Sequence, residues 1–506
     1  MTLFALTDKP LATLDADAIV VGTKADGDGA ALVDGHDLPA EAADWLAAAL
    51  PALGATGKVD DVHALALVPG LAARKTVLAG LSPATGTSTE PTPTSTHAGV
   101  GAALRKIGKA DTVVLSVPVG DADWLTAAAT GAHLGSYSFT AHKSAPEQTH
   151  NGRQAKAILI HAPNAKDKDA KAALARAEVL AEATAYARDL VNTPPNALYP
   201  KSFVENVLER IKSAKVKLDV TVHDEQALAA MGCGGIVGVG QGSQRPPRIM
   251  EVHYRPRHPA GRVAFVGKGI TFDSGGLCIK PPAGMLAMKS DMAGAAAVIA
   301  AVIAAAQLKL PVGVSGYLCL AENMPSGTAQ RPSDVVTMRN GKTVEIIDTD
   351  AEGRMVLGDG LALAAESDPD AILDIATLTG ACMIALGVRV AGVMSNDEHV
   401  NDAVLSAALT SGEAMWPLPL PEELRSKLDS TTADLQHKGD QWGGALTAGL
   451  FLREFVTREG KDPVPWAHLD IAGPSFNEAS AYGATPKGGT GFGVATLLAF
   501  AERHAR

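Results

Sequence analysis

Short apolar runs of the β type alternate with Ala-rich helical stretches along most of the chain, and this alternation limits the possible folds more than any other feature. In the first part of the chain the apolar runs are DAIVVG, TVLAGL, TVVLSVPV and AILIHAP. Such runs, apolar at consecutive positions, are typical of strands buried on both faces of a sheet. Helices between strands are the usual connection in a parallel sheet. We therefore predict an α/β fold.

The length of 506 residues indicates two domains, because one ordinary core does not grow that large. A charged stretch at residues 162–174 leads into a predicted helix that runs to about Leu190. We predict a smaller N-terminal α/β domain over residues 1–165, a linking helix over 166–190 and a larger domain over 191–506. In the larger domain we expect a central mixed, mainly parallel sheet flanked by helices. Its candidate strands are residues 249–254, 262–267, 312–321, 371–377 and 467–473.

Three local patterns refine this prediction. Asn340-Gly341 between two β runs is the strongest short signal for a hairpin. Residues 82–99 are rich in Thr, Pro, Ser and Gly, which predicts an exposed loop. Residues 292–308 are apolar and Ala-rich but shorter than the roughly 20 residues that a membrane span needs, so we predict a buried helix.

Composition favours a soluble intracellular protein. The chain has 44 basic and 55 acidic residues, a net charge of −11, which disfavours a broad nucleic-acid or anionic-membrane surface but is compatible with a local basic patch. The N-terminus lacks the basic and apolar regions of a signal peptide, so the expected location is the cytoplasm. The cysteines form no CxxC pair, and we expect reduced, buried thiols. They are Cys233, Cys278, Cys319 and Cys382.

Charged side chains that could form a site are concentrated in three segments, VAFVGKGITFDSGGLCIKPP, MKSDMAGAAAV and EIIDTDAEGRMVLGDG. The residues in question are Lys268, Asp273, Lys280, Asp291, Asp348, Asp350, Glu352 and Arg354. Ligands of open α/β sheets bind at the carboxyl ends of the strands. If the strands are parallel, we expect all three segments to meet on one side of one sheet.

Each charged residue also has a simpler interpretation. Asp291 and the acids of residues 348–352 could be first-turn residues of helices, and the two lysines could be ordinary exposed ones. Taken together, however, the carboxylates outnumber the side-chain cations, which is the composition of a divalent metal site with room for two bridged ions. No HExxH occurs, which excludes a one-zinc protease helix, and no GxSxG supports a serine hydrolase.

Five motifs identify a known family by resemblance. VGKGITFDSGG, IKPPAGM, MKSDMAGAAAV, DTDAEGRMVLGDGL and DIATLTGA resemble, in order and spacing, the signatures of the M17 leucyl aminopeptidase family. The resemblance is highly specific from about residue 185 onward and weaker over the first 165 residues. It implies a metal-dependent aminopeptidase that removes leucine and other apolar N-terminal residues from peptides. It also implies a homohexamer.

The resemblance further implies roles for individual residues. Two divalent ions per subunit, zinc, manganese or magnesium, would be held by Lys268, Asp273, Asp291, Asp350 and Glu352. A lysine ligand must be neutral, and an adjacent dication lowers its pKa. Lys280 would stabilise the oxyanion, and Arg354 would hold a bicarbonate ion as general base, since a guanidinium stays protonated. The positions implied to line the substrate pocket are Met288, Thr377, Leu378 and Gly380.

Two positions depart from the family pattern, and three alternative functions stay open. Asp348 stands where relatives usually carry Asn, and Leu286 where they often carry Asp. Asp348 adds a negative charge beside the site but is not counted as a ligand. The alternatives are a DNA-binding regulator, a catalytically lapsed family member, and a dipeptidase acting mainly on Cys-Gly. Every matched ligand is present, which disfavours a lapsed member.

Overall fold

The computed structural model describes residues 2–86, 88–145 and 155–505. The chain forms two compact units. Unit 1 comprises Met1–Ala185 and Glu478–Lys487, and unit 2 comprises Tyr186–Asn477 and Gly488–Arg506. A ten-residue segment from late in the chain is therefore part of unit 1.

Unit 1 is an α/β layer structure built on one seven-stranded sheet. Its elements are β1 (Leu3–Thr7), β2 (Ala18–Asp26), β3 (Gly29–Leu32), α1 (Ala40–Leu53), β4 (Val62–Ala66), β5 (Lys75–Gly80), α2 (Pro93–Ile107), β6 (Thr112–Ser116), α3 (Ala122–Gly135), β7 (Ala157–His161) and α4 (Lys168–Asn192), which continues into unit 2. The strand order is β1-β7-β6-β2-β5-β4, with β3 paired to β2. The pairings of β3 and β4 are antiparallel and the others are parallel. All four sequence-predicted strands are confirmed.

The predicted loop over residues 82–99 is wrong in its second half. Helix α2 begins at Pro93, and Thr92 caps it: the Ser95 N–H donates to the Thr92 hydroxyl (3.1 Å), and the Thr92 N–H donates to the Ser95 hydroxyl (2.8 Å). This capping box satisfies two backbone donors that the first turn leaves free. The Thr-x-x-Ser pattern was a usable signal, but the Pro and Thr content suggested a loop.

Unit 2 contains the larger sheet. Its elements are α5 (Pro200–Ala214), β8 (Asp219–His223), α6 (Glu225–Ala230), α7 (Gly234–Gly240), β9 (Arg248–Tyr254), β10 (Arg262–Asp273), α8 (Pro282–Met285), α9 (Ala293–Gln307), β11 (Gly313–Asn323), β12 (Val335–Thr337), β13 (Thr343–Glu345), α10 (Gly353–Glu366), β14 (Ala371–Ala376), α11 (Gly380–Leu386), β15 (Ala391–Ser395), α12 (Glu398–Ser411), β16 (Met415–Pro417), β17 (Leu435–Gln436), α13 (Gly444–Arg453), β18 (Trp466–Asp470), β19 (Phe476–Asn477), β20 (Gly488–Gly489) and α14 (Val494–His504). Short 3₁₀ helices lie at Leu286–Ser290 and Glu422–Leu428.

The eight-stranded sheet of unit 2 is mixed and mainly parallel, as predicted. Its order is β16-β15-β18-β14-β10-β11-β9-β8, and the four central strands β18, β14, β10 and β11 are parallel to one another. Helix α9 is buried along Ala293–Ala306 and packs on this sheet, which confirms the predicted buried helix. The helical run Pro282–Gln307 is apolar and long enough to cross a membrane, but 78% of its apolar window is buried inside the protein, as in a core helix.

The predicted hairpin is confirmed, but it lies outside the large sheet. Strands β12 and β13 pair antiparallel around Gly341, whose φ of +86° suits glycine. With β17 they form a separate three-stranded sheet. Residues 346–352, one of the three charged segments, therefore follow a strand of the small sheet and not of the large one.

The four cysteines are free thiols. Cys233, Cys319 and Cys382 are buried, whereas Cys278 is partly exposed, so the prediction of burial is wrong for that residue.

Candidate metal centre

The three charged segments meet at the carboxyl end of β10. Lys268 and Asp273 both lie on this strand, five residues apart, which would put them on opposite faces of a regular strand. A register irregularity between Ile270 and Phe272 inserts one residue and reverses the alternation. This bulge allows both side chains to face the same site.

Lys268 is the central cation of the site. Its ammonium lies 2.9 Å from Asp291 Oδ2 and 2.9 Å from Glu352 Oε1, and it donates to the carbonyl of Thr377 (2.9 Å). The side chain is only 4% exposed, so the interpretation as an ordinary exposed lysine is wrong. Burial lowers the pKa of Lys268, but the negative charges of Asp291 and Glu352 raise it by more than burial lowers it, so the net shift is upward. Among these carboxylates Lys268 is an ammonium ion.

Lys280 is a second cation held between two carboxylates. Its ammonium lies 2.8 Å from Asp273 Oδ2 and 2.6 Å from Asp350 Oδ1. Burial lowers the pKa of Lys280, but Asp273 and Glu352 outweigh that effect and the pKa is raised. Lys280 therefore carries its charge inside the cluster and is also not an ordinary exposed lysine.

The carboxylates repel one another in a largely dry environment. Burial, followed by the charge of Glu352, raises the pKa of Asp273 to about 6. Burial is also the main cause that raises the pKa of Asp291 to about 8. Burial alone would raise the pKa of Glu352, but Lys268 and Lys280 hold it below its ordinary value. The cluster therefore stabilises added positive charge.

The donor set fits a hard divalent cation. Oxygen atoms of Asp273, Asp350 and Glu352 lie within 4.8 Å of one another. Glu352 Oε2 is buried and has no hydrogen-bond partner among the described residues. Buried carboxylate oxygens are rarely left unpaired, and carboxylate ligands suit Mg²⁺ and Mn²⁺ and also bind the softer Zn²⁺. Glu352 is the N-cap residue of α10, but its side chain makes no capping hydrogen bond, and Asp291 precedes α9 by two residues.

Arg354 lies in the first turn of α10 and is buried. Its Nη1 donates to the carbonyl of His437 (2.9 Å), while its buried Nε has no partner among the residues that the structure describes. Burial lowers the pKa of Arg354 to about 10, so the guanidinium stays charged at neutral pH. A buried cation with a free N–H group is suited to binding a small anion.

Asp348 forms an ion pair with a lysine that is not part of the carboxylate cluster. Its Oδ2 forms an ion pair with Lys438, and its Oδ1 accepts a hydrogen bond from the Asp350 N–H (3.0 Å). Burial raises the pKa of Asp348, but Lys438 and the backbone N–H lower it more, so the carboxylate is ionised at neutral pH. Its extra negative charge therefore has its own counterion.

The four expected substrate-pocket residues differ in their surroundings. Thr377 touches the cluster directly, because its hydroxyl donates to Asp291 Oδ1 (2.6 Å) in addition to the contact between its carbonyl and Lys268. Leu378 is half-buried against the core, and Met288 is half-buried in a 3₁₀ turn. Gly380 is exposed as the first residue of α11.

Three residues that support the site were missed from the sequence. Asn323, Thr349 and His437 are buried and bond to the segments that carry the acids. Asn323 ends β11, the parallel neighbour of β10, so its position at the carboxyl end of a strand was a usable signal. His437 is more than 80 residues from the segment it contacts, and no local pattern marks it.

Comparison with known proteins agrees with the motifs. The catalytic-domain model of the cytosol aminopeptidase family matches residues 185–498, and the model of its N-terminal domain matches residues 20–146. The probable cytosol aminopeptidase of Micrococcus luteus is 48% identical over 508 residues, which cover 99% of this chain and 98% of the relative. That of Streptomyces avermitilis is also 48% identical, over 513 residues, with 99% and 98% covered.

A solved structure has the same architecture. The bottromycin maturation enzyme BotP in complex with Mn is 36% identical, with a TM-score of 0.83, and the match covers 97% of this chain and 100% of that one. Fold, motifs and both family matches agree. This chain belongs to the cytosol aminopeptidase family, the M17 family that its motifs resemble.

Proposed function

We propose that this protein is a leucyl aminopeptidase that hydrolyses the N-terminal peptide bond of peptides, preferring leucine and other apolar N-terminal residues, with two divalent metal ions per subunit. Its family consists of metal-dependent peptidases. The observation that carries the proposal is the set of four carboxylates around Lys268 and Lys280, with the Glu352 Oε2 atom buried and unpaired among the described residues.

The proposed ligands are Lys268, Asp273, Asp291, Asp350 and Glu352. Their chemistry suits manganese or zinc, and magnesium as well, and the manganese in the BotP structure supports a divalent cation here. When bound, such ions supply Lewis acidity to a scissile carbonyl and lower the pKa of a water molecule. Lys268 would have to lose its proton to act as a ligand, and positive charge beside it favours that loss.

Lys280 is proposed to stabilise the oxyanion of the reaction. An ammonium group has three N–H donors, and the Lys280 nitrogen forms ion pairs with Asp273 and Asp350. With these two carboxylates as its ion-pair partners among the described residues, a third donor is proposed to face the developing negative charge. The two carboxylates fix the position of the ammonium in advance, which is how such stabilisation becomes effective.

Arg354 is proposed to hold bicarbonate, which would accept the proton from water. The guanidinium stays protonated and therefore is not the base itself. Its Nη1 is fixed by the His437 carbonyl, so its free Nε–H has a defined direction. Met288, Thr377, Leu378 and Gly380 are proposed to line the pocket for the substrate's first side chain.

We also propose a cytoplasmic homohexamer. The relatives are named probable cytosol aminopeptidases, and the one apolar helical run among the described residues that is long enough for a membrane span is mostly buried. The mass of the purified protein in solution, measured by light scattering, tests the assembly directly: six times the chain mass of 51.8 kDa is expected.

The activity is tested with leucine p-nitroanilide after chelation and dialysis, and again with Mn²⁺ or Zn²⁺ restored. N-acetyl-leucine p-nitroanilide is the matched control, because it lacks the free amine that an aminopeptidase requires. Metal-restored cleavage of the free-amine substrate alone is expected. Lys280→Met should lose activity, whereas Lys461→Met, which removes an exposed lysine paired with Asp368, should not. Equal cleavage of both substrates, or activity that survives chelation, would contradict the proposal.

A further inference from the structure

Asn323 joins two of the segments that carry the acidic residues. Its side-chain Nδ2 donates to Asp273 Oδ1 (2.8 Å) and to the backbone carbonyl of Thr349 (2.9 Å). The residue is 3% exposed and ends β11, beside the end of β10. One carboxamide group therefore connects the end of the central strand with the turn that contains Asp350 and Glu352.

The surroundings of Asn323 fix its orientation. Both amide hydrogens are used, since two acceptors face Nδ2. The backbone carbonyl of Asn323 accepts hydrogen bonds from both the backbone N–H (3.0 Å) and the hydroxyl (2.7 Å) of Ser274. Gly276 packs against the side-chain oxygen of Asn323 so closely that a Cβ at position 276 would be 2.9 Å from Asn323 Oδ1. The Asn323 backbone is thus fixed beside Ser274, and the side-chain amide has little room to turn.

The hydrogen bond from Asn323 helps to fix which oxygen of Asp273 faces the cluster. Oδ1 accepts hydrogen bonds from Asn323 Nδ2 and from the Gly275 N–H (2.9 Å). Oδ2 is left to face Lys280 at 2.8 Å. Groups that hydrogen-bond a metal ligand fix its orientation and are often as important to the site as the ligand.

Resting on the proposed function, we infer that Asn323 is a positioning residue of the metal centre, which fixes the Asp273 carboxylate and the 349–352 turn in the geometry that binds divalent ions. Without it, Asp273 Oδ1 and the Thr349 carbonyl each lose a donor, and among the described residues the carboxylate is held only by the Gly275 N–H and Lys280. The two segments then keep fewer direct links.

The test measures Mn²⁺ binding by calorimetry to the full-length protein after chelation and dialysis, comparing wild type with Asn323→Ala. A loss of roughly 10- to 100-fold in Mn²⁺ affinity is expected, the usual range for such a partner. Asn396→Ala is the control, because Asn396 also joins the end of its strand to another segment, with Nδ2 donating to the Val464 carbonyl and Oδ1 accepting from the Trp466 N–H, and it contacts none of the proposed ligands. Its Mn²⁺ affinity should equal that of wild type.

A second variant covers the case in which Asn323→Ala does not fold. Asn323→Ser keeps one donor, and its Mn²⁺ affinity should lie between those of wild type and the alanine variant. The melting temperature of each metal-free variant shows whether it folds. A folded Asn323→Ala or Asn323→Ser variant with wild-type Mn²⁺ affinity would overturn the inference, as would a wild type that binds no Mn²⁺.

The Mn²⁺ titration also separates this inference from the proposed function. If wild type binds Mn²⁺ but cleaves no free-amine substrate, the proposed peptidase activity fails, and weaker binding by Asn323→Ala still supports the role of Asn323. If wild type is an active aminopeptidase and the variant binds Mn²⁺ equally well, only the role of Asn323 fails.

Discussion

Lys268 and Glu352 form an ion pair of 2.9 Å in which both side chains are almost fully buried. The pair joins the central strand β10 to the start of α10, and Asp291 completes it from a third segment. A buried ion pair adds little stability compared with a pair of apolar side chains in the same place. Removal of one partner, however, leaves an uncompensated buried charge.

The first prediction concerns this pair. Lys268→Met keeps an unbranched side chain, one atom shorter, and removes its charge, leaving Glu352 and Asp291 without their shared cation. We expect the metal-free protein to lose about 3–5 kcal/mol of unfolding free energy at neutral pH. Urea denaturation of the chelated protein measures this loss. Lys461→Met is the control at an exposed pair, and equal stability of the two variants would contradict the account.

The second prediction concerns Asp348. Asp348→Asn keeps an acceptor for the Asp350 N–H and removes the charge that pairs with Lys438. Because this partly exposed pair already neutralises itself, we expect a change of only about 0–1 kcal/mol in Mn²⁺ binding, which is at most about fivefold. Calorimetric titration measures it. A change of a hundredfold would show that the charge of Asp348 acts on the metal centre.

The third prediction is a pH dependence due to His437. Burial, followed by the charge of Arg354, lowers the pKa of this histidine to about 4, and its Nε2 lies 2.8 Å from the Asp348 carbonyl, as expected for the neutral Nε2–H tautomer. Below the ordinary pKa of 6.5 the unfolded chain binds a proton that the folded protein does not. Stability should therefore fall by roughly 3 kcal/mol from this residue as the pH decreases from 6.5 to 4.

His437→Gln provides the comparison, because other groups titrate in the same range. The difference in unfolding free energy between wild type and variant should shrink steadily as the pH is lowered from about 7 to about 4.5. Urea denaturation at each pH measures it. A constant difference across this range would show that His437 does not titrate as described.

The fourth prediction concerns Gly276, whose φ is +64° and whose Cβ position is crowded by Asn323 Oδ1 and, at 3.0 Å, by the hydroxyl of Thr349. Gly341 has a φ of +86° with nothing within 4 Å and is the matched control. Gly341→Ala should cost about 1–2 kcal/mol from backbone strain alone. Gly276→Ala should cost more and should also weaken Mn²⁺ binding, which Gly341→Ala should not. Denaturation and calorimetry of both variants test this, and equal costs would contradict the crowding.

The central strands and the charged residues of the site could be predicted from the sequence because both depend on local patterns. Buried strands are visible as apolar runs, and the acids lie in motifs of a few residues. The family resemblance then connected motifs that lie far apart in the chain. The same local signals did not show which strand the hairpin joins, since the pairing of β13 with β17 connects residues about 90 apart.

The features of the fold and the site that could not be predicted from the sequence depend on contacts between distant residues. Asn323 looks like any residue at a strand end until Asp273 and Thr349 are placed beside it. The bulge after Ile270, which brings Lys268 and Asp273 to one face, leaves no mark in the residue types. Residues 478–487 belong to unit 1 through contacts that span more than 300 positions, as between Gly483 and Asp60.

The most direct test of the account is a crystal structure of the full-length protein soaked with Mn²⁺, with data collected for the anomalous signal of manganese. Two anomalous peaks per subunit, about 3.5–4 Å apart, are expected among Asp273, Asp291, Asp350 and Glu352. A single peak would contradict the two-ion centre. The absence of any peak at these carboxylates, in crystals that bind Mn²⁺ elsewhere, would contradict the metal centre itself.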